Sequence, residues 1–224
     1  IKFQNSYSSP VYNSAPEYMK EDFLFPYVNG LEFVMGLHDA GGWEAVDAAF
    51  LNPPVSTEQI LHPEKYPDDK PVVVDMPDLS SILGENWEEL DRNVMGEWYS
   101  YLILAKGRST QFAMDDEDSR TATTGWGGDT YVFYSPEDSE DYLFAWRSNW
   151  ETGQDMDEFF NQSREYGLAR WGIPVANSST AVTWESETDG VITMRRNGND
   201  VLWLMGSSNV TLKETLKLLQ DFGS

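Results

Sequence analysis

The sequence contains no cysteine and only two histidines among its 224 residues. Without cysteine, the chain cannot form disulfide bonds, thiolate metal sites or a cysteine nucleophile. The two histidines, His38 and His62, do not stand in an HExxH pair or in another zinc-ligand spacing. We therefore predict that the chain binds no metal and no cofactor.

Complete catalytic motifs are absent as well. There is no G-x-S-x-G elbow, and the glycine-rich residues 125–128 lack both the spacing and the preceding strand of a phosphate-binding loop. Nine tryptophans could line a sugar cleft, but aromatic residues that alternate along strands more often fill a core. We do not expect the isolated chain to be an active enzyme.

Basic residues are scarce, because 15 lysines and arginines face 38 acidic residues and leave a net charge of −23. This charge repels nucleic acids and anionic membrane surfaces, so we expect neither as a partner. A peptide or a protein remains as the expected partner. Such acidity can also serve solubility, calcium binding or growth at high salt.

Long apolar runs are missing too. The most apolar stretch, residues 23–37, is interrupted by Pro26, Asn29 and Glu32 and is shorter than the roughly 18 to 20 residues that cross a bilayer. The sequence thus predicts no membrane-spanning segment. Residues 1–18 lack the charged start and apolar core of a signal peptide, and we interpret them as a mature or trimmed N-terminus.

The first half of the chain is predicted to be mostly helical. In residues 23–37, apolar side chains recur at intervals of three and four, which indicates a helix that buries this stripe. Pro26 fits the first turn of this helix. The stripe comprises Leu24, Tyr27, Val28, Leu31, Val34 and Met35.

Shorter helices are predicted to follow. Residues 40–42 end the first helix before a second one at 43–50, and Ser56 is expected to cap a turn that reaches Leu61. Residues 78–83, 86–90 and 94–106 are the remaining predicted helices of this half.

Residues 108–128 are predicted to be a polar surface connection between a helical region, 1–107, and a sheet domain, 129–224. An acidic run from Asp115 to Asp118 lies at the centre of the connection. The run could bind calcium, but it has no EF-hand spacing, and we interpret it as a solvated loop.

The second half changes to short β-branched and aromatic runs separated by turn residues, which predict strands. The runs are residues 131–134, 142–146, 181–184, 191–194 and 201–205. The Asn197-Gly198 pair predicts a hairpin between the last two.

Two helices are expected to accompany these strands. One carries Met156, Phe159, Phe160 and Tyr166 on one face, and the other begins at Thr211 with a capping box. The resulting order ββαβββα predicts an antiparallel sheet with covering helices, and the whole chain therefore has a predicted α+β fold.

The densest group of potentially catalytic side chains lies in residues 56–66, where Glu58, His62 and Tyr66 place an acid, an imidazole and a phenol close together. These are our candidate catalytic residues, expected to line a cleft. In one interpretation, His62 or Tyr66 donates to a developing oxyanion, while Glu58 or Tyr66 orients the histidine ring. In the other, the segment is a capped turn whose polar groups hydrogen-bond one another.

Three motifs carry a family resemblance: FPYxxGxxFV at residues 25–34, GGWxxVD at 41–47 and PPxSTEQILHPxKY at 53–66. They resemble a family of exported bacterial and archaeal proteins whose full-length members look like gluzincin-type metallopeptidases. The HExxH region of that family has no counterpart here. The resemblance therefore implies a non-catalytic C-terminal part that contributes to a substrate cleft or to binding, outside the cytoplasm, either secreted or surface-attached.

A second interpretation remains open, in which the chain is a free-standing extracytoplasmic binding module without enzymatic activity. The order ββαβββα also resembles the fold of the photosystem PsbP proteins, which bind partners rather than catalyse. This second resemblance concerns the fold alone.

Overall fold

Residues 9–107 and 109–222 are described by the structure, a computed structural model. Residues 1–8 of the predicted mature N-terminus, the first residue of the predicted connection and the last two residues of the chain lie outside the described residues. None of the described helices combines the length and the apolar character needed to cross a bilayer.

Helices make up most of the N-terminal part and recur among the strands. In chain order they are α1 (Pro10–Ser14), α2 (Glu17–Leu51), α3 (Thr57–Leu61), α4 (Ser80–Leu83), α5 (Gly96–Ala105), α6 (Asp116–Thr123), α7 (Gly153–Trp171) and α8 (Asn209–Leu218), with 3-10 turns at Pro63–Lys65, Thr110–Phe112 and Gln220–Phe222.

The strands form one antiparallel sheet in the order β1-β2-β3-β7-β6-β5-β4. They are β1 (Trp87–Asn93), β2 (Trp126–Pro136), β3 (Leu143–Trp150), β4 (Ala176–Asn177), β5 (Ala181–Ser186), β6 (Gly190–Asn197) and β7 (Asp200–Gly206). Together with the helices, this sheet confirms the predicted α+β fold.

Both faces of the sheet are covered, because side chains alternate along each strand. On β3, Trp146 and Trp150 point into a core shared with α7, whereas Leu143 and Ala145 pack into a second core with α8. Helix α5 contributes Leu104 to the first core and turns its other face towards α2. The sheet is therefore the middle layer of the molecule.

The predicted strands and the predicted helix at α7 are confirmed. The hairpin between β6 and β7 turns at residues 198–199, where Gly198 has a φ of +58° that favours glycine. The last helix begins earlier than predicted, because Ser208 rather than Thr211 is its N-cap and accepts the Thr211 N–H at 3.2 Å.

The helix predicted at residues 86–90 is wrong, because these residues belong to β1 at the edge of the sheet. Trp87 and Leu90 have helical spacing, which misled the sequence interpretation. A shift in the β1–β2 register between Glu89 and Asp91 takes Leu90 out of the ladder and leaves it exposed. The sheet thus begins before the predicted connection at residues 108–128.

The acidic run is exposed to solvent, as predicted, but it is not a loop. Asp115 is the N-cap of α6, and its side chain accepts the backbone N–H groups of Glu117 and Asp118. Acidic residues in a first helical turn interact favourably with the helix dipole. Helix α6 packs against α5 and α7 and buries Ala122, so this part of the predicted connection is a structural element.

Helix α2 differs from the prediction in its extent and in the face that it buries. It begins at Glu17, which places Pro26 inside the helix, and it departs from helical geometry at Gly42, so that the predicted break is a kink. The buried side chains are Phe25, Phe33, Leu37 and Val46. The predicted stripe is wrong as a core face, because all six of its members are exposed.

Candidate functional site

Helix α3 is positioned by two hydroxyl groups at its start. The Ser56 side chain accepts the Gln59 N–H at 3.2 Å, which confirms the predicted cap. The neighbouring Thr57 Oγ1 accepts the Trp98 N–H at 3.2 Å from the first turn of α5. These bonds bring the segment 56–66 against the N-terminal end of α5.

A buried ion pair lies at the centre of the site. Lys65 Nζ donates to Glu58 Oε1 and to Glu151 Oε1, both at 2.6 Å, and lies 3.6 Å from Asp69 Oδ2. Glu58 is only 1% exposed. Burial raises the pKa of Glu58 to about 7, against the hydrogen bond and the charge of Lys65, and the charges of neighbouring glutamates add to the rise.

Within the described ranges, the same three carboxylates form a group that could hold a metal ion. One oxygen each from Glu58, Asp69 and Glu151 lies within 4.8 Å of the others. The Lys65 ammonium contacts all three. Burial opposes this charge, but the hydrogen bonds to Glu151 and Glu58 outweigh it and raise the pKa of Lys65. The lysine thus supplies the positive charge that a cation would bring.

His62 is oriented by Glu97, which lies in the first turn of α5. The ring Nε2 and Glu97 Oε1 are 2.8 Å apart, and Nδ1 is 3.8 Å from Glu64 Oε1. The hydrogen bond to Glu97 raises the pKa of His62 in spite of burial. Burial raises the pKa of Glu97, whose Oε2 is buried without a hydrogen-bond partner in the described part of the chain.

The three candidate catalytic residues therefore do not act on one another as predicted. Glu97 orients His62, whereas the predicted partner was Glu58 or Tyr66. The Tyr66 hydroxyl donates to the Asn52 carbonyl at 2.6 Å, and its ring packs edge-on against Phe33. A catalytic role for these residues stays a prediction.

A cleft of about 410 Å³ opens beside this cluster, between the start of α3, the start of α5 and the start of β2. Ser56 and Thr57 line it, but its lining does not include Glu58, His62 or Tyr66. The remaining lining residues are Val55, Pro71, Val72, Val73, Val74, Val94, Met95, Gly96, Trp126, Asp129 and Thr130.

One wall of the cleft is the extended segment 71–74, which lies against β2. The Val72 N–H donates to the Gly127 carbonyl at 2.8 Å, and the Thr130 hydroxyl donates to the Val74 carbonyl at 2.6 Å. Gly128 permits this approach, since a Cβ there would lie 2.4 Å from the Val72 oxygen. The segment leaves Val73 98% exposed at the mouth of the cleft.

Asp129 forms the polar floor of the cleft and is missed by the sequence interpretation. Its carboxylate accepts the backbone N–H groups of Met95 and Gly96 and the Trp126 indole N–H, each at 2.8 Å. Burial raises its pKa, and these hydrogen bonds work in the opposite direction. The residue thus holds the start of α5 onto β2.

The sheet and its helices match one family model, described as a domain of unknown function (DUF8575), over residues 85–216. The chain belongs to the DUF8575 family. No curated protein and no solved structure matches the chain. The DUF8575 region supplies Glu97, Asp129 and Glu151, whereas Glu58 and Lys65 precede it. The site is therefore built from the family region together with the helical part before it.

The raised pKa of Glu58 gives the stability a specific pH dependence. In the unfolded chain Glu58 ionises at its ordinary value of 4.5, and in the folded chain at about 7. Between pH 4.5 and about 7, the chain therefore takes up a proton when it folds. The stabilisation that protonated Glu58 contributes is lost as the pH rises through this range. His62, whose pKa is also raised, acts in the same direction above pH 6.5.

We expect Glu58→Gln to flatten this dependence. From pH 5 to 7, the wild-type protein should lose up to about 1.4 kcal/mol of unfolding free energy per pH unit relative to the variant. Urea unfolding at several pH values measures this difference. Glu64→Gln changes an exposed carboxylate of the same segment, and it should leave the slope of unfolding free energy against pH as in the wild type. Parallel pH profiles for wild type and Glu58→Gln would contradict the assignment.

Proposed function

We propose that the chain is a non-catalytic binding module whose cleft takes an extended, apolar segment of a peptide or protein. The observation that carries this proposal is the lining of the cleft. Four valines, Val55, Val72, Val73 and Val94, are exposed around it, although valine is usually buried. Apolar side chains that converge on one cavity favour an apolar ligand.

The polar groups of the site support binding rather than catalysis. The Asp129 carboxylate on the floor already accepts three hydrogen bonds. Glu58 and Lys65 neutralise each other beside the cleft, and Tyr66 bonds the backbone. Catalysis requires donors or bases directed at a reacting atom, and these groups are directed at the protein itself.

The volume of the cleft and the charge of the protein support a peptide as the ligand class. A cavity of about 410 Å³ can hold a few apolar side chains, and the walls are partly backbone of the extended segment 71–74. The net charge of −23 disfavours polyanions. A place for this module in an exported zinc peptidase stays a prediction that rests on the resemblance alone.

Fluorescein-labelled peptides test the proposal. We expect a short peptide with a Val-Ile-Val centre between lysines to bind more tightly than the same peptide with a Ser-Asn-Ser centre. Val73→Asp should weaken binding of the first peptide about tenfold, because the lost apolar contact is worth roughly 1.5 kcal/mol. Fluorescence anisotropy measures both affinities.

The matched control is Val210→Asp on α8, since Val210 is 69% exposed and lies outside the cleft. It should leave the affinity unchanged. Both valines are exposed, so neither change should alter the melting temperature. Equal binding of the two peptides, or equal weakening by the two variants, would refute the cleft as the binding site.

A further inference from the structure

We propose that the outer face of α2 is a docking surface for a protein partner that presents an apolar helix flanked by lysine and arginine. This interaction is separate from ligand binding in the cleft. The face consists of Met19, Phe23, Leu24, Tyr27, Val28, Leu31, Val34 and Met35, and we call it the α2 stripe.

The α2 stripe is a continuous surface. At 100° per residue, its members fall within one half of the helix circumference and extend over about 24 Å of helix. Each side chain is between 36% and 65% exposed, with Phe23 and Tyr27 the most exposed. Scattered apolar residues are normal on a protein surface, but a contiguous row of this length indicates an interface.

The stripe cannot turn inward, because the opposite face of α2 is held by the rest of the molecule. Phe25 packs on the Trp98 ring with 4.6 Å between centroids. Asp22 accepts the Trp98 indole N–H at 3.2 Å and the Tyr99 hydroxyl at 2.7 Å. A rotation of α2 that turned the stripe inward would break these contacts.

The exposed area is large enough for a specific interface. Eight side chains at these exposures present on the order of 700 Å², close to the ~800 Å² that each partner contributes to an interface of standard size. The largest apolar patch of a typical monomer is about 300 to 600 Å². The stripe thus exceeds what a free monomer usually leaves in water.

Charge complementarity identifies the partner's chemistry. Glu21, Glu32 and Asp39 lie within about 20° of one another on the helix and border the stripe beside Val28 and Met35. Lys20, within the stripe, is already paired with Glu17 at 2.8 Å. A partner helix with basic flanks gains attraction at this border, whereas a second copy of this chain would bring like charges together.

The test uses the full chain and three labelled helical peptides. The first has a leucine and phenylalanine face with lysine and arginine flanks, the second has glutamate flanks, and the third is a scrambled form of the first. We expect the first to bind at least tenfold more tightly than either of the others. Its affinity should fall as salt is raised.

Two variants locate the binding. Phe23→Ser combined with Tyr27→Ser should weaken the first peptide at least tenfold, and Glu32→Lys combined with Asp39→Lys should remove most of the salt dependence. The control pair, Ile173→Ser with Val210→Ser, changes apolar residues elsewhere that are at least as exposed as Phe23 and Tyr27, and it should leave binding unchanged. All three variants should keep the wild-type melting temperature, because the changed side chains are exposed.

Several results would overturn the proposal. Equal binding of the scrambled peptide would show that charge alone attracts it. Self-association in sedimentation that Phe23→Ser with Tyr27→Ser abolishes would assign the face to a second copy, and stripe-dependent binding to phosphatidylcholine vesicles would assign it to a membrane. Binding that the control pair weakens as much as the stripe pair would place the site elsewhere.

Discussion

Lys65→Met should lower the free energy of unfolding by about 3 kcal/mol at pH 9, because Glu58, which titrates at about 7 in the folded chain, is then an ionised and buried carboxylate without its cation. Glu58 and Glu151 both accept from the Lys65 ammonium at 2.6 Å, and Glu58 is almost inaccessible to water. For a chain of this length the melting temperature should fall by on the order of 10 °C. Urea and thermal unfolding followed by circular dichroism measure both quantities.

The pH dependence of that loss separates an electrostatic cause from a packing one. At pH 5 Glu58 is protonated and carries no charge, so removal of Lys65 leaves no unpaired charge on it. Most of the loss of unfolding free energy should therefore disappear at this pH. Lys70→Met removes an exposed lysine of the same segment and should change stability by less than about 0.5 kcal/mol. A loss from Lys65→Met that is the same at both pH values would contradict the electrostatic account.

Asp129→Ala should destabilise the chain by about 3–5 kcal/mol and abolish peptide binding in the cleft. Three donors, Met95 N–H, Gly96 N–H and the Trp126 indole, lose their buried acceptor, and each unsatisfied group costs about 1–3 kcal/mol before relaxation. The start of α5 also loses the carboxylate that accepts its first N–H groups. Chemical unfolding and the anisotropy assay measure the two effects.

A graded series sharpens this test. Asp129→Asn keeps the shape and one acceptor oxygen, so its loss should lie between wild type and Asp129→Ala. Asp138→Ala, in the exposed turn after β2, should be neutral. Equal stability of Asp129→Ala and Asp138→Ala would mean that the start of α5 is held by contacts other than this carboxylate.

The sequence predicts the sheet well where strands are buried and poorly at its edge. Strands β2, β3, β6 and β7 carry β-branched and aromatic residues on two covered faces, and β5 carries Val182 and Trp184 on its one covered face. These residues are the signal that the prediction uses. Strand β1 has charged side chains in solvent and a register shift at Leu90, so its pattern imitates a short helix. Only pairing with β2, some forty residues later, makes it a strand.

Helix α2 shows a different limit. Periodicity predicts the helix, but it cannot show which of two apolar faces packs against the rest of the protein. The deciding residues are Phe25 and Asp22, which contact α5 far away in the sequence. The prediction chose the face with more apolar residues, and that is the face that the structure leaves in water.

The candidate site was predictable only within one segment. The Ser56 cap and the cluster of Glu58 and His62 are local, and local spacing reveals them. Glu97, the partner of His62, lies 35 residues further along the chain. Glu151, a partner of Lys65, lies 86 residues further along. The motif at residues 53–66 contains Lys65, but spacing alone assigns this residue no contact with Glu151.

The two strands that end the sheet also govern how the protein behaves in concentrated solution. On one side β1 presents Glu88, Glu89 and Asp91 to solvent, and on the other β4 is only two residues long. Identical copies that approached edge to edge would place these acids against one another, and β4 offers too short a ladder for a growing fibril. Resistance to fibrillar aggregation is therefore built into the sheet borders, and it is strongest at low ionic strength, where the repulsion reaches furthest.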